Sequence, residues 1–356
     1  SCSTRTYGTM GPVSATGRKL HRAARVEDRL HAVLERWLRS RGWAPRVVAY
    51  TGYGADGWVR VLARVLLAPP GTPPGELRLG RGWRRFLTAT AAGVAVMVDV
   101  AGRRHEVTSD RTGYIDVVLA ADLPPGWAQA QLVADGRTGS TARLRIVDPS
   151  GGLGVISDID DTVIVTALPR PLLAAWNTFV RHETTRHPVR GMASLYREIE
   201  RRHPDAPFVY LSTGAWNVAP VLEQFLARHS YPPGPLLLTD WGPTADGWFR
   251  SGREHKRREL RRLVDELPHI RWLLVGDDGQ HDPELYAEAA EAAPDRIRAV
   301  AIRQLSPTEQ VLTHGTPEPI HERGTARSAT RPHAEVRAPD GFGLLAGLRS
   351  RGILRG

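Results

Sequence analysis

The sequence predicts an α/β chain: a parallel sheet with helices on both faces, preceded by a small all-β sandwich and an N-terminal amphipathic helix. Three observations predict it. From Leu153 onward, short apolar runs alternate with helical periodicity, the pattern of strands joined by crossover helices. Between Val47 and Val147, short alternating runs are separated by Gly, Pro and Asp turns, which suits a sandwich. Between Arg18 and Arg41, apolar residues recur near a period of 3.6.

Residues 1–17 are small and polar and read as a disordered tail. The helix that follows places Leu20, Val26, Leu30, Val33, Leu34, Trp37 and Leu38 on one stripe, with Gly42 to end it. Its other face carries Arg18, Lys19, Arg22, Arg25, Arg29, Arg36, Arg39 and Arg41 against Glu27, Asp28 and Glu35. Such a helix can lie on anionic lipid. Packing of the stripe on its own domain is the commoner use and the preferred one here.

Strand candidates in the sandwich are Val59 to Val65, Val94 to Val100, Ile115 to Leu119, Ala128 to Val133 and Ala142 to Ile146. The stretch Thr108-Ser109-Asp110-Arg111-Thr112-Gly113-Tyr114 resembles the hairpin turn of transthyretin-like sandwiches. No catalytic constellation is visible in this region, so positioning or partner binding is its natural role. Asp148-Pro149-Ser150-Gly151-Gly152 reads as a linker.

In the α/β part the expected strands are Leu153–Ile156, Phe208–Leu211, Leu236–Leu238, Trp272–Val275 and Ile297–Ile302. The expected helices are Arg170–Arg181, Met192–Arg202, Val218–His229, Glu254–Leu267 and Pro283–Ala293. Four regions follow: 1–45 as tail and helix, 46–149 as the sandwich, 150–305 as the α/β domain, and 306–356 as a basic, largely irregular tail. Phe342 to Leu354 is apolar enough to dock on the α/β domain, or to form a short helix at a partner surface.

Hydrophobic residues make up 41% of the 356, and no apolar run is long enough to span a bilayer. The start, Ser1-Cys2-Ser3, lacks the charged and apolar regions of a secretory signal. Together these point to a cytoplasmic address, with peripheral contact at the inner membrane face left open. The single cysteine, Cys2, excludes an internal disulfide and a Cys-based zinc site. A net charge of +10 favours an anionic partner: phosphate esters, an acidic membrane surface or nucleic acid. No nucleic-acid-binding module is recognisable. All but two of the 48 basic side chains are arginine, so Lys256 is a compact ammonium in a chain that otherwise uses guanidinium.

The chemistry centres on Val155-Ile156-Ser157-Asp158-Ile159-Asp160-Asp161-Thr162-Val163. An apolar run stops abruptly at carboxylates, as a buried strand does when its C-terminal end carries a site. Asp158 and Asp160 repel unless a cation or a reaction uses them. The plain alternative is an acidic turn in which Asp161-Thr162 caps a helix. Downstream, Phe208-Val209-Tyr210-Leu211 leads into Ser212-Thr213-Gly214, a hydroxyl and backbone N–H groups suited to a phosphoryl oxygen. Lys256 is expected near the start of a helix, where the dipole would assist it. Trp272 to Val275 leads into Gly276-Asp277-Asp278-Gly279-Gln280-His281-Asp282, repeating the strand-then-carboxylate pattern. A hard, oxygen-loving cation such as Mg²⁺ would join the two acidic ends. His255 and His281 are not spaced as a zinc pair.

In this order the motifs resemble the haloacid-dehalogenase (HAD) phosphohydrolases: Asp-x-Asp-x-Thr, a strand-end Ser, a Lys, then Gly-Asp with a further acid. That resemblance covers about residues 150–303 and implies a HAD-like Rossmannoid sheet. A narrower one is to the actin-patch-type phosphatidate phosphatases and their bacterial relatives. It is carried by Ser157 to Val163, Leu211 to Asn217, His255-Lys256 and Gly276 to Tyr286. This chain has Gly214-Ala215-Trp216-Asn217 where the family more often has Ser-Pro-Trp-Asn, and Asp278 where it has Ser.

The resemblance implies a Mg²⁺-dependent phosphomonoester hydrolase acting on phosphatidate or a related lipid phosphate. Asp158 would be the nucleophile and Asp160 the general acid and base, with Thr162 fixing the loop. Ser212, Thr213, Gly214 and Lys256 would bind phosphate. Asp158, the backbone carbonyl of Asp160, and Asp277 would ligate Mg²⁺, with Asp282 orienting a ligand or bound water. Neither gap between motifs clearly holds a large cap domain, which suits a substrate presented at a surface. Trp176, Phe179, Trp216, Trp241, Trp248 and Phe249 fall where they could flank the mouth, though core packing is the simpler role for most. A non-lipid phosphate ester, and a catalytically weak protein that binds lipid or a partner, stay open as alternatives.

Overall fold

The computed structural model describes residues 33–72, 89–135, 139–165, 187–239, 245–279, 281–307, 309 and 333–354. Its class is α/β, as expected. The first part holds strands β1 (Ala44–Ala49), β2 (Gly52–Ala55), β3 (Trp58–Ala68), β4 (Ala95–Val100), β5 (Arg103–Thr108), β6 (Tyr114–Ala120), β7 (Gly126–Ala134) and β8 (Ser140–Ile146). They form one hydrogen-bonded sheet, in the order β1-β3-β2-β8-β7-β4-β5 with β6 on β3, rather than two separate sheets. The join is β2, antiparallel to β3 and parallel to β8. Glycine permits it: a Cβ on Gly52 would lie 2.2 Å from the Arg60 carbonyl oxygen. The sheet folds back so that β1 lies against β7 and β8. Val59, Val61, Val96, Val98, Leu132 and Leu144 fill the space between.

Two local expectations change. The 108–114 turn is closed as foreseen, with Asp110 Oδ1 accepting from the N–H groups of Thr112 and Tyr114, each at 2.8 Å. Yet it is not a hairpin, because β5 pairs with β4 and β6 pairs with β3. Of the basic helix, residues 33–40 are helical, Arg41 already lies in the turn that ends it, and residues 18–32 lie outside the described residues. Leu38 is buried in the β-region core, while Val33, Leu34 and Trp37 are exposed.

Beyond the Asp148 turn, β9 (Gly152–Asp158), β12 (Phe208–Ala215), β13 (Leu236–Thr239), β14 (Ile270–Asp277), β15 (Ile297–Arg303) and β16 (Ala334–Ala338) make a second sheet. Its order is β13-β12-β9-β14-β15-β16, and every pairing is parallel. The chain leaves β9 first toward β12 and later toward β14. That reversal opens a crevice beyond the carboxyl ends of β9 and β14, where ligands of open α/β sheets bind. Between β9 and β12 lies a two-stranded pair, β10 (Ile164–Val165) with β11 (His187–Pro188).

The helices are α1 (Met192–Arg202), α2 (Ala219–Arg228), α3 (Ala245–Glu266), α4 (Asp282–Ala292) and α5 (Gly341–Ser350). In α1 the buried residues are Met192, Leu195, Tyr196 and Ile199, one stripe at helical spacing. The helix expected at Arg170–Arg181 lies outside the described residues. Within the tail, a helix forms and docks where Phe342 to Leu354 was expected to, and a strand appears that was not expected. Ala334–Ala338 adds an edge strand to the sheet, and α5 packs on β15, β16 and α1. Two polar–apolar alternations in a five-residue strand are too short a signal to read beside so much Arg and Pro.

The two regions share a core. Val48, Tyr50, Tyr53, Leu62, Leu66 and Val147 belong to the same buried cluster as the parallel sheet. Arg145 also donates to the Asp205 carbonyl across the boundary, at 2.7 Å. Among the described residues no helix is long and apolar enough to cross a membrane.

Candidate active site

The buried residues Val155, Ile156 and Ser157 carry β9 to Asp158, which is wholly enclosed. The chain then doubles back. Asp161 takes a left-handed conformation, with φ 55°, and its N–H donates to the Ile164 carbonyl at 2.8 Å. This turn brings Asp160 round to the same crevice as Asp158. Ile164–Val165, directly after the turn, is strand, so Asp161 and Thr162 do not cap a helix there.

Each of the three neighbouring strand ends contributes. At the end of β12, the Ser212 hydroxyl donates to Asp160 Oδ2 and accepts from the Gly214 N–H, both at 3.0 Å. The Thr239 hydroxyl, on β13, reaches the carbonyls of Thr213 and Gly214 at 3.0 and 3.2 Å. At the end of β14, Asp277 Oδ1 accepts from the Gly279 N–H at 2.6 Å. Asp282 opens α4 and turns back over Gly276. A Cβ there would stand 2.5 Å from Asp282 Oδ2, so only glycine lets the second acid reach the site. The extra acid Asp278 accepts from the Leu305 N–H at 2.8 Å, so it fastens the loop to the exit of β15.

Lys256 projects from the middle of α3, not from a helix start. The dipole expected to help it is therefore remote, and its long stem alone delivers the charge. Its Nζ lies 2.5 Å from Asp158 Oδ1 and 2.8 Å from Asp282 Oδ1. Burial disfavours the ammonium, but Asp158 and Asp282 outweigh that and hold its pKa above the usual lysine value.

The balance of charge is the main feature. Asp158, Asp160, Asp277 and Asp282 are all buried, with Lys256 as the ammonium among them. Burial, then repulsion from Asp282 and its neighbours, pushes Asp158 and Asp277 well above the carboxylate range. Asp160 is raised to about 6, chiefly by burial. Asp158 Oδ2, Asp160 Oδ1, Asp277 Oδ2 and Asp282 Oδ2 are buried without a hydrogen-bond partner. Asp158, Asp277 and Asp282 each bring one oxygen within 4.8 Å of the others. An excess of buried carboxylates with spare lone pairs and only oxygen donors fits a hard divalent cation such as Mg²⁺.

Every residue expected in the site is described, and Asp158, Asp160, Ser212, Lys256, Asp277 and Asp282 converge. Thr162 is buried nearby with its hydroxyl unpartnered. His255 is buried beside the site, its Nε2 facing the Leu237 carbonyl at 3.4 Å. Other contributors escape sequence reasoning. The Ser157 hydroxyl donates to the Asp158 carbonyl and accepts from the Tyr196 hydroxyl, both at 2.6 Å. A tyrosine on an apolar helix stripe gives no hint of this. Trp216 takes the core role that was the simpler expectation: it is buried, with Tyr50 at 4.5 Å and Tyr114 at 4.9 Å between ring centroids. The β region thus grips the loop that carries Ser212. Trp176, Phe179, Trp241, Trp248 and Phe249 lie outside the residues whose side chains are described.

A strand-end cluster of this kind defines a class of α/β protein built to handle charged groups at a topological switch. Residues 153–304, somewhat under half of the chain, match the family model described as "Phosphatidate phosphatase APP1, catalytic domain". The chain is 28% identical to phosphatidate phosphatase APP1 of Saccharomyces cerevisiae over 153 residues, 43% of this chain and 26% of that protein. It is 26% identical to an uncharacterised protein of Schizosaccharomyces pombe over 155 residues, 43% of this chain and 25% of that one. The chain therefore matches about a quarter of the length of these relatives. A solved carbohydrate acetylesterase from Xanthomonas citri matches at 12% identity over 76% of this chain and 73% of its own, with a TM-score of 0.28, too distant to carry an argument.

Proposed function

We propose that this protein is a Mg²⁺-dependent phosphatase of phosphomonoesters, acting on phosphatidate or a related lipid phosphate through an aspartyl-phosphate. The observation that carries the reading is the excess of buried carboxylates around Lys256 at the ends of β9 and β14, inside the segment with the phosphatidate phosphatase match. Such an arrangement is costly to fold, and a retired site has no use for it.

Asp158 attacks phosphorus through a carboxylate oxygen, and the bond from phosphorus to the ester oxygen breaks. The departing alkoxide takes the proton of Asp160. A carboxyl held near 6 by burial is suited to give up and regain a proton at neutral pH. In the second half, Asp160 removes a proton from water as the water oxygen attacks phosphorus. Inorganic phosphate leaves and the Asp158 carboxylate is restored. Ser212, whose hydroxyl is held by the Gly214 N–H, and the backbone N–H of Thr213 orient phosphoryl oxygens, and Lys256 offsets their charge. Asp158, the Asp160 carbonyl and Asp277 would hold Mg²⁺, with Asp282 positioned to orient a ligand. Bound there, Mg²⁺ supplies neutralisation of charge and polarisation of the phosphoryl group.

The lipid assignment draws on the catalytic-domain match and on the basic balance of the chain, which favours anionic surfaces. The test is phosphate release from phosphatidate in mixed micelles, with Mg²⁺ or EDTA. Asp158→Asn is expected to lower turnover by about 10⁴-fold or more. Turnover of an aryl phosphate without release from lipid would keep the chemistry and discard the lipid. No Asp158-dependent turnover of either would overturn the reading in favour of a binding protein.

A further inference from the structure

We propose that Arg303 is a positioning residue that sets both acidic loops of the site. The inference rests on the phosphatase reading but concerns a residue that makes no contact with the reacting groups in that mechanism. Arg303 ends β15, directly opposite Asp277 in the neighbouring strand, and is only 6% exposed. Its guanidinium turns toward the other acidic loop, where Nη1 donates to the Asp161 carbonyl at 2.6 Å. Asp161 is the left-handed residue of the turn between Asp160 and Thr162, with φ 55°. Asp enters that conformation more readily than most residues, as Asp135 also does here, and a short charge-assisted bond to the Asp161 carbonyl fixes the peptide that follows.

The same residue reaches the second loop through its backbone. The Asp278 N–H donates to the Arg303 carbonyl at 3.0 Å, one residue after Asp277. One amino acid therefore ties the turn after Asp158 to the turn after Asp277, and the spacing of the acids depends on it. The guanidinium is itself held. Nη2 donates to Glu309 Oε1 at 2.6 Å, and Nε to the Pro339 carbonyl at 3.3 Å. Glu309 is fixed in turn by the Ser306 N–H at 2.8 Å. Three acceptors in a planar fork are a task for arginine that a lysine ammonium cannot copy.

A purely structural alternative is that Arg303 fastens the β16 segment to the sheet and nothing more. Two readouts separate these ideas. The first is steady-state hydrolysis of p-nitrophenyl phosphate with Mg²⁺. Arg303→Ala is expected to lower kcat by about 10- to 100-fold while KM changes by less than about threefold, with Arg303→Lys no better than Ala. Guanidinium ion at tens of millimolar is expected to restore part of kcat to the Ala variant and none to Lys. The second readout is thermal unfolding against Mg²⁺ concentration, which needs no turnover. Its midpoint is expected to rise about tenfold in Arg303→Ala.

Unchanged kcat, or a loss that follows the unfolded fraction and ignores guanidinium, would overturn the proposal. If Arg303→Ala does not fold, Arg303→Lys and Glu309→Gln are read on the same scales, with Glu309→Gln expected to show the smaller effect. If the wild type hydrolyses no phosphate ester, the phosphatase reading fails. The Mg²⁺ midpoint then decides Arg303: a shift supports positioning and an unchanged or absent midpoint overturns it.

Discussion

Two charge clusters lie within this molecule, one partly open to solvent and one buried, and they are built on opposite rules. At the seam between the β region and the parallel sheet, Asp116, Glu259 and Glu266 face Arg60, Arg258 and Arg262. Arg60 bonds both Asp116 and Glu266, and Arg262 bonds Asp116 at 2.8 Å and also Glu259. Tyr53 adds a hydroxyl to Glu266 at 2.8 Å. Every carboxylate there has a guanidinium beside it. At the sheet ends, four buried carboxyls surround Lys256 and keep unpartnered oxygens. A balanced cluster settles the fold, whereas an unbalanced one is tolerated only where an absent group completes it. The clusters differ in partners and in enclosure: Arg258 at the seam is 67% exposed, whereas Asp158, Asp277 and Asp282 are fully buried.

The contrast can be broken most sharply at Lys256. Lys256→Met is expected to lower phosphatase turnover by about 10³-fold and stability by about 3 kcal/mol, because buried carboxyls lose their counter-charge. Added Mg²⁺ should recover part of the thermal stability and little of the turnover. Equal stability in the mutant without metal would mean that the carboxyls need no cation.

Trp216 joins the two regions, so it tests whether they work as one. Trp216→Ala removes a buried ring from between Tyr50 and Tyr114 and should cost about 3–5 kcal/mol in denaturant unfolding. Because the ring follows the Ser212 loop directly, KM for a phosphate ester should rise as well. Trp216→Phe should retain much of both. A seam mutation should behave differently. Arg60→Met leaves Asp116 and Glu266 short of a partner and is expected to destabilise by about 2 kcal/mol, with turnover per folded molecule unchanged. A loss of turnover there would show that the seam, too, serves the reaction.

The smallest effect concerns pH. Burial lowers the His255 pKa from 6.5 to about 4. The unfolded chain therefore takes up this proton first, and stability falls as pH drops from about 6.5 toward 4. His255→Gln should flatten that slope by about 1–2 kcal/mol in unfolding curves at pH 7 and pH 5. An unchanged slope would place the acid sensitivity elsewhere.

Much of the site was legible because each part is a short contiguous run. An apolar strand that stops at Asp158 or Asp277 is visible without any partner, as are Ser212 after Leu211 and Lys256 among arginines. What escaped is the way the runs are held. The tyrosine hydroxyl of Tyr196 reaches Ser157 across 39 positions, and the Arg303 guanidinium reaches Asp161 across 142. Nothing near Arg303 in sequence marks its target. The helix start expected at Glu254 failed for a related reason: α3 begins nine residues earlier, at Ala245, across a Gly, Ser and Trp stretch of poor helical pattern.

The sequence by itself determined the α/β class, the order of the motifs and the chemical type of each site residue. These depend on local hydrophobic period and on side-chain chemistry, both written in neighbouring residues. Only the tertiary structure decided that the β strands form one sheet, that 334–338 becomes its neighbour's edge strand, and that Trp216 is gripped by the β region. It alone also decided which oxygens lack partners. Those outcomes depend on which surfaces approach within a few ångströms after long stretches of chain have closed, and local pattern carries no record of that approach.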